Sequence, residues 1–323
     1  MKKVFTKVVL LIAILLLLPL GNVSANMGVP FGYTSSPTNP IVNPENVISV
    51  TGEHIRFEVS GTTTAGTVFA NITYNIVNSG EDGTFTFIFP AMNVYHRGEE
   101  FEFKVKANDK EIKYEAKNEQ EISNLLKENS EGVEKLLNFG DEVFFDPFTG
   151  EEYKPEISFA RQNEKVFFVF DIFLKKDAPT VVNVSFKSFP GFDSRRYKTI
   201  SILHYYYILD VKDFYKSFDN VKIEIVYPKA YPFKANLEGT VSESSDKNIL
   251  KINLDGNLKN LSFSYASKKL SKLQILIHRA FPFLFGESFF FFLIFVVLPL
   301  TVVSIFIAIV IIWSNKHFGE KGK

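Results

Sequence analysis

Two kinds of apolar pattern share this chain: long unbroken runs near its ends, and strict alternation between them. The first run, Val8 to Leu20, follows Lys2, Lys3 and Lys7 and is broken near its end by Pro19 and Gly21. Val23, Ser24 and Ala25 then stand ahead of Asn26, so the pattern predicts a secretory signal peptide over 1–25, cut before Asn26. The second run, Ser288 to Trp313, holds no charged residue. As a helix it would extend about 39 Å, against a hydrocarbon core of ~30 Å. It predicts one transmembrane helix over 288–313 and a cytoplasmic tail over 314–323 carrying Lys316, Lys321 and Lys323. Lys268, Lys269, Lys272 and Arg279 make the other flank basic too, so the orientation rests on the signal peptide. Thr301, Ser304 and Ala308 recur at spacings of three and four and form a small-residue stripe against which another helix could pack.

Between these runs the period is two. Residues 26–45, rich in Pro, Gly, Ser, Thr and Asn, read as an extended lead-in. Val68, Ala70, Ile72, Tyr74 and Ile76 then alternate with polar residues, as do Phe85, Phe87 and Phe89, and Phe101, Phe103 and Val105. Asn108-Asp109 predicts a tight turn into a strand over 110–116. Asn118 and Glu121 predict a helix capping box, followed by apolar residues at helical spacing and by Gly140 as the stop. Strands are predicted again over 156–161, 165–174, 180–189, 199–209, 221–227, 233–241, 249–254 and 261–265. The fold class expected is mainly β. It comprises a first β-sandwich-like domain over 46–117, a helical insert and acidic loop over 118–153, a second sandwich-like domain in series over 154–267, and a juxtamembrane segment over 268–287 lying at headgroup level.

Composition narrows the function classes. Thirty-six basic and thirty-six acidic residues balance to zero net charge, which disfavours nucleic acid as a partner. Cysteine is absent, which excludes disulfides, thiolate metal sites and cysteine nucleophiles, and fits a bacterial or archaeal envelope. His54, His96 and His204 are scattered without metal-ligand spacing, and no Gly-x-Ser-x-Gly elbow occurs. No cofactor is expected.

Three places hold candidate chemistry. Asp141, Glu142, Asp146, Glu151 and Glu152 surround a turn with Pro147 and Gly150. Asp141, Asp146, Glu151 and Glu152 are candidate Ca²⁺ ligands, and the same carboxylates are candidates for a glycosidase pair. Tyr205, Tyr206 and Tyr207 lie in a predicted strand that either turns an aromatic ring outward, toward a glycan or protein partner, or is buried on both sides. Arg195 and Arg196, in the adjoining loop, are candidate anion readers.

Ile55, Val68, Asn71, Tyr74, Asn78 and Phe89-Pro90, with Tyr206-Tyr207-Ile208-Leu209, Phe214 or Tyr215 and the strand Val221 to Pro228, resemble a loosely defined group of bacterial exported, membrane-anchored β-rich proteins of unknown function. The resemblance implies a β ectodomain at the envelope and no catalytic assignment. The expectation is therefore a single-pass cell-membrane protein, its β region extracytoplasmic, that binds an envelope protein or glycan. The alternatives are a membrane-tethered hydrolase of an extracellular polymer and a sensor subunit acting through its transmembrane helix.

Overall fold

The computed structural model describes residues 41–42, 47–62, 66–92, 102–118, 120–121, 143–154, 165–193, 196–197, 200–209, 211, 214–255, 259–280 and 296–318. The expected signal peptide and most of the helical insert lie outside the described residues. The chain divides into two compact units, Phe31–Gly286 and one that contains the C-terminal helix.

The first unit is built from strands β1 Ile41–Val42, β2 Ile48–Gly61, β3 Gly66–Asn78, β4 Gly83–Met92, β5 Phe103–Ala107, β6 Lys110–Ile112 and β7 Glu115–Lys117. It continues with β8 Phe144–Phe145, β9 Glu152–Tyr153, β10 Lys165–Leu174, β11 Pro179–Ser188, β12 Gly191–Asp193 and β13 Ile202–Tyr207. Then follow β14 Ser217–Phe218, β15 Val221–Pro228, β16 Phe233–Ala235, β17 Thr240–Glu243, β18 Lys247–Leu254 and β19 Leu261–Tyr265, and a helix, α1, Lys272–Ala280.

One sheet dominates. Its order is β17-β18-β15-β2-β3-β11-β5-β6, with β14 also paired to β2, and β2 is parallel to β14 and β15. Antiparallel register sets Phe57 opposite Ala70, Ala70 opposite Phe186, and Phe186 opposite Phe103, so these side chains share one face. That face is buried. The other carries Arg56, Asn71, Thr73, Ser185, Lys104 and Glu224; Thr73 bonds Asn183 at 2.8 Å and Arg56 pairs with Glu224 at 3.0 Å. Such one-sided alternation is what a sheet with one wet face requires.

Two four-stranded sheets cover the buried face. One, β1-β4-β10-β7, lies over the β11-β5 side: Phe89 packs on Phe103 and Phe186, and Phe168 stacks on Phe103 with centroids 4.5 Å apart. The other, β12-β13-β19-β16, lies over β2: the rings of Tyr205, Tyr207 and Phe263 surround Phe57 with centroids 5.3 to 6.1 Å away. Gly66 sits at this second junction, where an added Cβ would come 2.6 Å from the Tyr265 hydroxyl. Tyr231 and Tyr265 donate from the same place to the Gly61 and Ser60 carbonyls.

The strands expected for two sandwiches in series therefore share one sheet: β11 and β15, from the second expected domain, pair with β3, β5 and β2 of the first. The lead-in contributes β1, whose Ile41 pairs with Ile88. The strand expected over 110–116 is split between two sheets, as is that over 233–241, because β6 and β17 stay in the large sheet while β7 and β16 join its two covers. At the Asn108-Asp109 turn both residues take the positive φ angles, 46° and 63°, that a two-residue hairpin demands.

In the second unit the described helix, α2, runs Leu298–Phe318. Leu298, Val302, Ile305, Phe306, Ile309, Ile312 and Trp313 are all more than half exposed. Its described side chains end at Trp313, a length of about 24 Å at 1.5 Å per residue. Among the described residues no helix is long and apolar enough to cross a membrane. Residues 288–295 of the expected spanning segment lie outside the described residues.

Candidate functional site

The acidic loop folds as a small hairpin, β8 paired with β9, closed by the turn 146–150. Asp146 makes the turn: its Oδ1 accepts from the Phe148 amide at 2.8 Å, and its carbonyl accepts from the Gly150 amide at 2.7 Å. Gly150 takes φ 74°, a left-handed conformation that glycine adopts without strain. This is an Asx-type turn, for which Asp followed by Pro is well suited.

The other carboxylate oxygen looks inward. Asp146 is fully buried, and its Oδ2 accepts from the Tyr197 hydroxyl at 2.7 Å and lies 2.6 Å from Arg196 Nε. The Arg196 contact is a close ion pair rather than an aligned hydrogen bond. Arg196 Nη2 reaches Glu151 Oε2 at 3.1 Å, and the second Glu151 oxygen pairs with Arg279 of α1 at 3.0 Å. The Arg196 guanidinium also lies over the Tyr153 ring, 5.6 Å from its centroid. Two carboxylates and two guanidiniums thus alternate in one chain that ties the hairpin, the loop after β12 and α1 together. Burial, and then the hydrogen bond to Asp146, push the Tyr197 hydroxyl up, so its proton stays on oxygen.

Beneath the hairpin lies the polar outer face of the β12-β13-β19-β16 sheet. His204 stands opposite Ser264, and Phe144 of the hairpin meets its ring edge-on at 5.1 Å. Ser262 donates to the Val143 carbonyl at 2.8 Å. The Tyr206 hydroxyl accepts from Asn260, whose Oδ1 in turn accepts from the Leu209 amide at 3.0 Å. Both His204 nitrogens are buried without a well-aligned partner among the described residues, and burial lowers this histidine to about 4.

Of the residues singled out by sequence, the fold brings Asp146, Glu151 and Arg196 into one network and leaves Glu152 exposed at its edge. Asp141 and Arg195 lie outside the described residues. Where a Ca²⁺ ion would need free oxygens, Asp146 and Glu151 already face arginines. Among the described residues no group of three or more His, Asp or Glu could hold a metal ion. Of the two readings of the tyrosine strand, the structure has the one buried on both sides: Tyr205, Tyr206 and Tyr207 are all buried, because β13 is covered on one side by the large sheet and on the other by the hairpin. Tyr205 bonds Ser188 at 2.9 Å, and the Tyr207 and Tyr74 hydroxyls are 3.5 Å apart.

Sequence reading missed Tyr197 and Arg279. A signal for the helix that carries Arg279 was present: Ser271 and Gln274 form a capping box, with Gln274 N donating to Ser271 Oγ at 3.2 Å and Ser271 N to Gln274 Oε1 at 2.9 Å. The box at Asn118 and Glu121, which sequence did predict, closes in the same way at 2.7 and 3.0 Å.

No protein-family model matches the chain, and no curated protein matches it in sequence. Among solved structures it is similar to a "putative nutrient binding protein" from Legionella pneumophila, with a TM-score of 0.52 and 12% identity, covering 80% of this chain and 78% of that one. That similarity concerns the fold. Weaker likenesses reach an M1 zinc metallopeptidase from Deinococcus radiodurans (TM-score 0.34, 7% identity, 68% of this chain and 42% of that chain). A leukotriene A4 hydrolase from Saccharomyces cerevisiae is likewise weak (TM-score 0.35, 8% identity, 70% of this chain and 30% of that chain). At this level neither bears on function.

Proposed function

We propose that the chain is a binding module of the cell envelope, its β unit outside the membrane and its C-terminal helix holding it there. The observation that carries the reading is the surface of α2. Apolar side chains are displayed around it without a polar side: Leu298, Val302, Val303, Ile305, Phe306, Ile309, Val310 and Ile312 are each at least 44% exposed. A helix apolar on every side belongs in lipid or in a protein interior. Trp313 at its end fits an interface, and the uncharged sequence continues back to Ser288, which supplies the missing length. A binding role for the β unit is supported by its fold similarity to the Legionella protein named for nutrient binding. It is supported also by the mutual neutralisation of Asp146, Arg196, Glu151 and Arg279, which makes that cluster a tie between elements rather than a reactive pair. The ligand class proposed is an envelope protein or glycan.

Extraction of membranes with alkaline carbonate tests the anchor. The wild-type chain is expected in the pellet, and a chain carrying Ile305→Lys and Ile309→Lys in the supernatant, since each charge near a membrane centre costs about 2.5–3.5 kcal/mol. A wild-type chain released by carbonate would refute the anchoring.

A further inference from the structure

Helix α1 is apolar on two opposite sides. Ile275 packs on the core and His278 is buried beside Tyr197, with ring centroids 5.9 Å apart. Leu273 and Leu276 lie one turn apart on the other side, 63% and 62% exposed. Residues at 273 and 276 are rotated by about 200° from 275 and 278, so this outward pair cannot reach the core while the inward pair does. Lys268 and Lys269, just before the helix, and Lys272, its first residue, are exposed, and the sequence has no acidic residue between Asp255 and Glu287. Glu151 pairs with Arg279 at the end of the helix. After α1 the sequence runs Phe281-Pro282-Phe283-Leu284-Phe285 toward the apolar helix α2.

We infer that the Leu273/Leu276 face of α1 docks on the surface of a membrane containing anionic phospholipid, its lysines against the headgroups and its leucines in the outer acyl region. The inference rests on the anchoring proposed above, and says further which face of the β unit meets the lipid. Charge complementarity selects the occupant: an exposed leucine pair with three lysines at and just before the start of its helix matches an anionic interface, and the chain that follows leads into apolar sequence. Two leucines alone would bind weakly, but α2 already confines the helix near the surface, so a weak contact suffices once it is intramolecular. Each lysine at an anionic surface favours the docked state by roughly fivefold, so three favour it on the order of 100-fold over a neutral bilayer. The Glu151–Arg279 pair, with the Arg196 and Asp146 links behind it, then fixes the orientation of the β unit relative to that surface.

The absence of cysteine makes the test direct, since L276C carries the sole thiol of the full-length chain. A nitroxide at this exposed position is read in vesicles of phosphatidylcholine with phosphatidylglycerol, and a second label at I309C reports on α2. The expected result is that both labels are shielded from a water-soluble paramagnetic relaxer and accessible to oxygen. Position 276 should lose its shielding in pure phosphatidylcholine and in the variant Lys268→Gln, Lys269→Gln, Lys272→Gln. A shielded I309C with a water-exposed L276C in anionic vesicles overturns the docking and leaves the anchor standing. A water-exposed I309C overturns both. Equal shielding of L276C in neutral and anionic vesicles, or dipolar broadening between copies at this position, overturns the assignment of the face to anionic lipid.

Discussion

The two sheets that cover the large one solve the same packing problem with different chemistry. The β1-β4-β10-β7 cover packs through phenylalanine rings: Phe89, Phe168 and Phe170 meet Phe103, Phe89 also meets Phe186, and Phe87 stacks on Phe170, with ring centroids 4.5 to 6.2 Å apart. The β12-β13-β19-β16 cover is built from Tyr205, Tyr206, Tyr207, His204, Ser262 and Ser264, buried on both faces: the Tyr205 and Tyr207 hydroxyls meet Ser188 and Tyr74 of the large sheet, and the Ser262 hydroxyl meets the hairpin. Ring packing dominates the buried side of the first, whereas the second also depends on polar groups meeting particular partners across long stretches of sequence. The polar cover is also the half that carries the ionic network, so the part of the fold nearest α1 is the part most sensitive to charge.

The contrast can be broken from either side. Phe103→Ala should cost the most, roughly 3–5 kcal/mol, because it empties a site where four rings converge. Equilibrium denaturation of the detergent-solubilised chain should show this loss equally at pH 7 and pH 5. Asp146→Asn leaves Arg196 facing a neutral group and should cost roughly 3 kcal/mol, near the lower end for a broken buried pair because Arg196 is partly exposed. Adding Arg196→Met should recover much of it; a double variant as weak as the sum of the two singles would deny the coupling.

Acid separates the two covers in a third way. His204 is held neutral in the fold, its pKa lowered by burial from 6.5 to about 4. The folded state therefore binds fewer protons than the unfolded one, stability is complete above pH 6.5, and it declines as pH falls toward 4, by about 3 kcal/mol at the lower limit. His204→Gln should flatten the part of the acid slope between pH 6.5 and 4.5, and an unchanged slope would place the titrating group elsewhere.

How far the sequence could be read follows the same division. The strand expected over 165–174 is observed as Lys165–Leu174; the Asn108-Asp109 turn was equally plain, because its chemistry is local. Alternation tells which side of a strand is greasy but not which strand it will meet, so β11 was assigned to a second domain when its partners are β3 and β5. The tyrosine strand left two readings open for a related reason. An amphipathic side chain can be buried on either face if a partner reaches its hydroxyl, and the partners of Tyr205 and Tyr206, Ser188 and Asn260, lie 17 and 54 residues away. In the network, Glu151 meets Arg196 and Arg279 across 45 and 128 residues, which no spacing rule could anticipate.

Everything proposed for function depends on the β unit lying on one side of a membrane and the tail on the other. Labelling of intact cells with a membrane-impermeant maleimide measures this directly, using Lys251→Cys on the wet face of the large sheet and Lys321→Cys in the tail, each as the single thiol of the chain. The account predicts that K251C is labelled at once and K321C only after the cells are permeabilised. A K251C chain that stays unlabelled until permeabilisation would contradict it.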